Sequence, residues 1–125
     1  MNVVDSSAWL EYFADGPNAG VFAPAVEDVA RLLVPSICLL EVFKRVLQQR
    51  SEEAGLEAVA LMLQGSVIDL NADLALSAAR LGYDLRLAMA DSVVLATARA
   101  HGATVWTQDA DFDGLPGVRF ARKRS

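Results

Sequence analysis

Short apolar runs alternate along this chain with longer stretches of helical periodicity, and this alternation limits the folds that the chain can adopt. Two predicted helices separate each of the first four apolar runs from the next, and a short segment without a predicted helix leads from the fourth run to the fifth. A strand, a helix and a second strand favour a right-handed crossover between parallel neighbours, with the helices packed on the faces of the sheet. The alternation therefore predicts an α/β fold in three layers, with a mostly parallel central sheet covered on both faces. We expect its strands at residues 2–5, 32–35, 67–70, 103–107 and 118–120.

Serines and glycines mark the ends of several predicted helices. Ser6 or Ser7 is a candidate N-cap of the first helix, and Ser36 is a candidate N-cap of the third. Gly65 and Gly102 are suited to end the fourth and the sixth. We expect helices at residues 6–13, 36–50, 52–64, 72–85 and 88–100.

The second helix is predicted from the helical spacing of its apolar residues. It follows the turn sequence Asp-Gly-Pro-Asn, which ends the first helix. Pro24 would be tolerated in the first turn of the second helix and would bend it at any later position. The apolar residues that carry the spacing are Val26, Val29 and Leu32 or Leu33.

Length and composition indicate one globular domain, residues 1–125. No linker, low-complexity tract or internal repeat divides the chain. The first ten residues lack the cationic start and the long apolar core of a signal peptide. No apolar run approaches the roughly 18 residues that span a bilayer. We therefore expect a cytoplasmic protein that does not associate with a membrane.

Two residue counts limit the metals that the chain can bind. With the single cysteine Cys38 and the single histidine His101, it cannot assemble a zinc site of the Cys/His type. Oxygen ligands remain, and these favour Mg²⁺ or Mn²⁺. Cys38 lies in an apolar stretch and is predicted to be a small buried residue. His101 is expected to contact the end of a helix, where a cation suits the last turn.

Two aspartates follow predicted strands. Asp5 ends the first strand, and Asp109 follows the fourth. The carboxyl ends of parallel strands meet at the edge of the sheet where ligands bind, so we expect these side chains to lie close together. Asp5 alone is also compatible with an N-cap, and an aspartate-rich turn is ordinary loop chemistry.

Two more acidic residues lie within apolar helical stretches. Asp91 shares a predicted helix face with Val94 and Leu95, and no lysine or arginine stands three or four residues away. Glu41 has Arg45 at the i+4 position, so a surface ion pair is an alternative for it. An unpaired buried carboxylate is costly, which favours a shared metal-binding pocket for the acids of this chain.

The net charge of −5 is unusual for a protein that binds nucleic acid. Several of the 16 acids belong to the predicted pocket, however, and a bound metal would cancel part of their charge. The bases also cluster, and a basic rim around an acidic pocket would suit a phosphate backbone. Solvated charge on a helix and a tail is an equally good explanation for each cluster alone. The clustered bases are Lys44, Arg45 and Arg50 on one helix, and Arg119, Arg122, Lys123 and Arg124 near the C-terminus.

Four short motifs carry a resemblance to a known family. They are Asp-Ser-Ser at 5–7, Ser-Ile-Cys-Leu-Leu-Glu at 36–41, Ala-Asp-Ser-Val-Val-Leu-Ala-Thr-Ala at 90–98 and Thr-Gln-Asp-Ala-Asp-Phe at 107–112. In this order and spacing they resemble the PIN-domain ribonucleases, and in length and order the chain resembles the VapC toxins of bacterial toxin–antitoxin pairs. The resemblance implies a PIN-like α/β/α fold, metal-dependent endoribonuclease activity and a homodimer. It also implies a cognate VapB-type antitoxin whose C-terminal segment covers the active site.

The resemblance also implies roles for individual residues. We expect Asp5 and Asp91 to be the principal ligands of Mg²⁺ or Mn²⁺, and Glu41 and Asp109 to complete the shell or to hold a second ion. Residues expected to orient carboxylates or phosphate are Ser7 and Thr107, with Asp111 as a further member of the site.

Two other phosphoryl-transfer classes do not fit the sequence. Haloacid-dehalogenase-type phosphatases need a second aspartate two residues after the first, where this chain has Ser7. Receiver domains need a lysine after a late strand, but the only lysines here are Lys44 and Lys123. One non-enzymatic alternative stays open, namely a catalytically silent PIN-like protein that acts by binding a partner or RNA.

Overall fold

Five strands form one sheet in the computed structural model, which describes residues 1–124. They are β1 (Asn2–Val4), β2 (Leu32–Pro35), β3 (Ser66–Ile68), β4 (Thr104–Thr107) and β5 (Val118–Phe120). Every neighbouring pair is parallel, and the order across the sheet is β3-β2-β1-β4-β5. The prediction of an α/β fold around a parallel sheet is confirmed.

Six helices connect these strands, and their number matches the prediction. Within residues 1–124, none of them is both long and apolar enough to cross a bilayer. Two short 3-10 turns lie at Val29–Arg31 and Ala110–Phe112. The helices are α1 (Ser6–Phe13), α2 (Ala19–Glu27), α3 (Ser36–Gln49), α4 (Glu52–Met62), α5 (Ala72–Leu85) and α6 (Met89–Ala100).

The central strand β1 defines the core. The chain advances from β1 through β2 to β3 and then returns past β1 to β4. Right-handed crossovers in opposite directions place their helices on opposite faces of the sheet. Val3 and Val4 of β1 therefore have no exposed surface, and they share one buried cluster with Trp9 of α1 and Leu95 of α6.

The predicted serine caps are wrong for two helices. Asp5 is the N-cap of α1, because its Oδ1 accepts the backbone N–H of Ala8 at 3.0 Å. Ser36 is the first residue of α3, and Pro35 occupies the cap position without a side-chain hydrogen bond. In both cases strand and helix join without a loop, so the cap position falls one residue earlier than a serine cap requires.

The second helix is shorter than its apolar spacing predicted. It ends at Glu27, Val29 lies in a 3-10 turn, and Leu32 and Leu33 are buried in β2. The sheet requires two apolar residues beside β1, and this tertiary demand overrides the helical pattern. Pro24 lies beyond the first turn of α2, where its missing N–H removes one helix hydrogen bond.

Cys38 and His101 take the structural positions predicted for them. Cys38 has no exposed surface, and its Sγ lies 3.8 Å from the carbonyl oxygen of Val4. The Nδ1 of His101 lies 3.0 Å from the carbonyl oxygen of Thr97, one turn back in α6. Neither side chain is placed to ligate a metal with the acidic residues.

Candidate active site

The site lies at the point where the strand order reverses. β1 has β2 on one side and β4 on the other, although β4 comes last but one in the chain. In an open parallel sheet, such a reversal leaves a crevice beyond the carboxyl ends of the two strands. Asp5 follows β1 at this edge, and its backbone N–H donates to the carbonyl of Trp106 in β4 at 3.1 Å. Asp109 lies two residues beyond the end of β4.

Three carboxylates meet in this crevice. One oxygen from each of Asp5, Asp91 and Asp109 lies within 4.8 Å of the others. Asp91 reaches the group from the first turn of α6, so a helix that lies between β3 and β4 in the chain contributes a carboxylate beside β1. The expectation that Asp109 lies close to Asp5 is therefore correct.

Hydrogen bonds hold the carboxylate of Asp5 in one orientation. Its Oδ1 accepts the hydroxyl of Ser7 at 2.7 Å in addition to the N–H of Ala8. Its Oδ2 accepts the hydroxyl of Thr107 at 2.7 Å. Burial nevertheless raises the pKa of Asp5 from about 3.8 to about 6, because the three hydrogen bonds only partly offset the loss of solvation.

Thr107 connects two of the three acids. Besides donating to Asp5, its Oγ1 accepts the backbone N–H of Asp109 at 2.9 Å. The Ser7 hydroxyl lies 3.4 Å from the same atom and also accepts the backbone N–H of Gln108 at 3.3 Å. Both hydroxyls thus form hydrogen bonds with Asp5, and their role in orienting ligands of a metal or a phosphate stays a prediction.

Asp91 has the largest shift among the acids of the group. Burial raises its pKa from about 3.8 to about 7, and four nearby acids add to the rise, Asp109 most strongly. Within residues 1–124 the salt bridges pair Arg31 with Asp28 and Arg80 with Asp84, so none neutralises this group. A cation bound among the carboxylates would offset both the loss of solvation and the repulsion from the nearby acids.

The donor set fits a hard divalent cation. The three close ligand atoms are carboxylate oxygens, which Mg²⁺ and Mn²⁺ prefer over sulfur and imidazole. Negative charge is concentrated and unpaired, as such a cation requires. The residues present therefore fit the metal expected from the sequence.

Glu41 lies in the same cavity but outside the close group. Its Oε1 accepts the hydroxyl of Ser6 at 2.7 Å. The alternative of an ion pair with Arg45 does not occur, since no salt bridge between them is present in the described part of the chain. Asp111 is exposed, and its backbone N–H donates to Oδ1 of Asp109 at 2.9 Å.

The basic clusters divide between the site and the rest of the surface. The open cavity over the acids has a volume of about 710 Å³. Arg119 lies away from the acids, over the ring of Trp106 at 4.8 Å. Arg124 donates to Oδ1 of Asn18 at 2.8 Å. The charged residues that line the cavity beside the three acids are Glu11, Glu41, Lys44, Arg45 and Lys123.

Sequence reasoning missed a buried amide pair beside the site. Asn18 and Gln108 are 2% and 6% exposed, and Nδ2 of Asn18 donates to Oε1 of Gln108 at 3.0 Å. Asn18 looked like an ordinary turn residue, and Gln108 carries no charge. The available signal was the position of Gln108 between Thr107 and Asp109.

The fold and the site together define a class of protein. It is an α/β/α protein with an acidic group at the point where the strand order of a parallel sheet reverses. The sequence matches the family model of the PIN domain over residues 3–118, and the chain belongs to this family. No curated protein sequence matches the chain.

Solved structures confirm the PIN-like fold. A toxin–antitoxin complex from Klebsiella pneumoniae matches with a TM-score of 0.81 and 22% identity, over 95% of this chain and 96% of that one. VapC20 of Mycobacterium tuberculosis, described as a sarcin–ricin-loop-cleaving toxin, matches with a TM-score of 0.76 and 20% identity over the whole of both chains. DNA-bound VapBC from Salmonella typhimurium matches with a TM-score of 0.74 and 17% identity, over 98% and 97% of the two chains.

Proposed function

We propose that this protein is a metal-dependent endoribonuclease that cleaves RNA phosphodiester bonds and serves as the toxin of a toxin–antitoxin pair. The observation that carries this proposal is the close group of Asp5, Asp91 and Asp109 in an open cavity. Membership of the PIN domain family supports the nuclease class. The order of the four motifs supports the likeness to VapC toxins.

The proposed cofactor is Mg²⁺ or Mn²⁺. When bound, such an ion supplies an activated water and stabilises charge on a phosphate oxygen. The residues proposed to hold it, directly or through water, are Asp5, Asp91, Asp109 and Glu41.

The residues of the chain itself orient the ligands and control their protonation. Ser7 and Thr107 donate to Asp5, so its remaining lone pairs have fixed directions. The backbone N–H of Asp111 helps to orient Asp109. Asp91 must release a proton before it binds a cation, and a pKa of about 7 lets it do so near neutral pH.

The proposed partners are an RNA substrate, a cognate VapB-type antitoxin and a second copy of this chain in a homodimer, all in the cytoplasm. Two of the similar structures are described as toxins or toxin–antitoxin complexes, and one as VapBC bound to DNA. These descriptions belong to those proteins, and together with the motifs they support the proposal.

Cleavage mapping tests the activity. Purified protein is incubated with total bacterial RNA in Mg²⁺ or Mn²⁺, and new 5′ ends are sequenced. We expect discrete cleavage sites that vanish in excess EDTA and in the Asp91→Asn variant, and little turnover with Ca²⁺. Full activity in EDTA, or equal activity of Asp91→Asn, would refute the site. RNA binding without cleavage would favour the catalytically silent alternative.

Growth tests the toxin role separately. Expression in a bacterium that lacks the antitoxin is expected to arrest growth, and co-expression of an adjacent antitoxin is expected to restore it. Asp91→Asn serves as the control, because it leaves the folded surface largely unchanged. Equal growth inhibition by wild type and Asp91→Asn would show that toxicity does not come from this site.

A further inference from the structure

The C-terminal segment is held against the site at several points. The backbone N–H of Ala121 donates to the carbonyl of Thr107 at 2.9 Å, which extends the pairing of β5 with β4. The carbonyl of Arg122 accepts Nδ2 of Asn18 at 2.9 Å. The guanidinium of Arg124 donates to Oδ1 of Asn18 at 2.8 Å. Lys123 therefore lies between two anchored residues.

Asn18 is the centre of this attachment. Its Nδ2 donates to two carbonyl oxygens, those of Gln108 and Arg122, while its Oδ1 accepts from Arg124. Its own backbone N–H donates to Oε2 of Glu11 at 2.7 Å. Asn18 is 2% exposed, so leaving its amide without hydrogen-bond partners would cost free energy. These contacts therefore hold the C-terminal segment firmly. The same amide ties the tail to Gln108, the neighbour of Asp109.

The side chain of Lys123 lies between two cavities. It lines the cavity that contains the acidic group and also a second one of about 590 Å³. The two cavities share a wall made of Ser7, Gln108, Asp109 and Lys123. Lys123 is exposed and has no salt bridge within residues 1–124, so its ammonium group is available to a ligand.

The second cavity has the chemistry of a nucleotide subsite. It is lined by the half-buried ring of Phe120 and by the exposed Arg122, and also by the acidic Asp109 and Asp113. Single-stranded RNA is bound by stacking of bases on aromatic or guanidinium groups and by cations that contact the backbone. An RNA strand that fills both cavities must cross their shared wall at Asp109 and Lys123.

We propose that Lys123 binds the backbone phosphate of the RNA strand where it passes from the acidic group into the second cavity, and that Asn18 positions Lys123 for this contact. The proposal rests on the proposed ribonuclease function and adds the path that the RNA strand follows from one cavity to the other. The acidic group repels a polyanion, and a cation whose neighbours in the chain are anchored at the wall offsets that repulsion next to Asp109.

Salt-dependent binding tests the phosphate contact. The probe is the RNA segment that wild type cleaves in total bacterial RNA, and every protein carries Asp91→Asn to prevent turnover. One lost phosphate contact on a single strand lowers the slope of log affinity against log salt by about 0.7, which is about fivefold in affinity at 0.1 M salt. We expect this loss for Lys123→Ala and retention of the slope for Lys123→Arg. The matched control is Arg99→Ala, an exposed base in the last turn of α6.

Kinetics and a double variant test the role of Asn18. With intact Asp91, Lys123→Ala should raise KM by about fivefold with little change in kcat, since the contact is made before the reaction as well as during it. Asn18→Ala should weaken binding, and Lys123→Ala should add little in that background. Thermal melts show whether Asn18→Ala remains folded. If it does not, the Lys123 variants alone test the phosphate contact.

The outcomes separate the two proposals. If wild type cleaves RNA while Lys123→Ala binds with the same affinity and salt slope as Arg99→Ala, the phosphate contact is wrong and the ribonuclease function stands. If wild type cleaves no RNA with metal present, the ribonuclease function fails, and the contact that rests on it fails too.

Discussion

Asp5 combines two roles that compete for its charge. As the N-cap of α1, and as the acceptor of two hydroxyls, it is surrounded by groups that favour the carboxylate form. Burial opposes them and is the larger effect, since the pKa of Asp5 is raised to about 6. A cation bound beside Asp5 would offset the cost of burying its charge, so the same carboxylate can serve as a cap and as a metal ligand.

Asp91 leads to a prediction about pH. Its folded-state pKa of about 7 exceeds the ordinary value of about 3.8, so its contribution to stability is full below pH 4 and is lost as the pH rises through 7. Without metal, the free energy of unfolding of Asp91→Asn should therefore rise relative to wild type between pH 5 and pH 8. Urea unfolding in EDTA at several pH values measures the difference.

The control for this pH series is Asp73→Asn, an exposed acid in the first turn of α5. It should keep the pH dependence of wild type. A difference between Asp91→Asn and wild type that stays constant from pH 5 to pH 8 would contradict the raised pKa.

Thr107 offers a second prediction, because its hydroxyl joins two acids. Thr107→Val leaves Oδ2 of Asp5 without its donor and the N–H of Asp109 without its acceptor. We expect metal affinity or activity to fall by about 10–100-fold and stability to fall by about 1–3 kcal/mol. Metal titration and chemical unfolding measure the two effects.

Thr97→Val is the matched control for Thr107→Val. Thr97 is equally buried, but its hydroxyl donates only to the carbonyl of Val93, one turn back in the same helix. This variant should keep its metal affinity. If both threonine variants weaken metal binding equally, the hydroxyl of Thr107 has no special role.

At the scale of elements, the close packing of α5 against α6 helps to fix the position of Asp91. Gly82 of α5 faces Ser92 of α6, the residue after Asp91. A Cβ at Gly82 would lie 2.7 Å from Oγ of Ser92, which donates to the carbonyl of Ala88 at 2.7 Å. Glycine therefore permits a helix approach that any side chain would prevent.

Gly82→Ala is predicted to destabilise the protein despite the better helix propensity of alanine. Propensity contributes about 1 kcal/mol in favour of alanine, whereas overpacking costs about 1–3 kcal/mol. In a Ser92→Ala background the clash is removed, so the same substitution should become neutral or stabilising. Gly20→Ala is the control, since nothing lies within 4 Å of its added Cβ. Equal effects of Gly82→Ala in both backgrounds would contradict the clash.

At the scale of the whole molecule, the excess negative charge is not spread evenly. Three of the acids meet in one crevice, and Lys44, Arg45 and Lys123 line the cavity above it. The predicted basic rim therefore exists for these three bases. A protein with a net charge of −5 can in this way present cations beside the only close acidic group found in residues 1–124.

Metal binding is predicted to stabilise the fold as a whole. A ligand that binds only the folded state adds about 1.4 kcal/mol when its free concentration is ten times its dissociation constant. Wild type should gain this amount from Mg²⁺, and Asp91→Asn should gain much less. Thermal melts with Mg²⁺ and with EDTA measure the shift. An equal gain in both proteins would place the metal elsewhere.

The sequence alone determined most of the fold and the position of most of the acids. The alternation of apolar runs and helical periodicity predicted five strands and six helices, and α5 has the predicted bounds of 72–85. The rule for parallel strands predicted that Asp5 and Asp109 would lie at one edge. The bounds of the strands and helices follow from interactions between near neighbours in the chain, which residue types and spacing express directly, and the rule for parallel strands then places the residues that follow these strands at one edge.

Only the tertiary structure decided the order of all five strands, the end of α2 and the exact composition of the site. Asp91 reaches Asp5 from α6, which precedes β4 in the chain. Glu41, in contrast, accepts a hydrogen bond from Ser6 and lies outside the close group. The contact between Asn18 and the C-terminal segment joins residues 104 positions apart. Such distances, and the pKa values that depend on burial, arise from the packing of all layers together. No local pattern encodes them, because each depends on the position of residues that are remote in sequence.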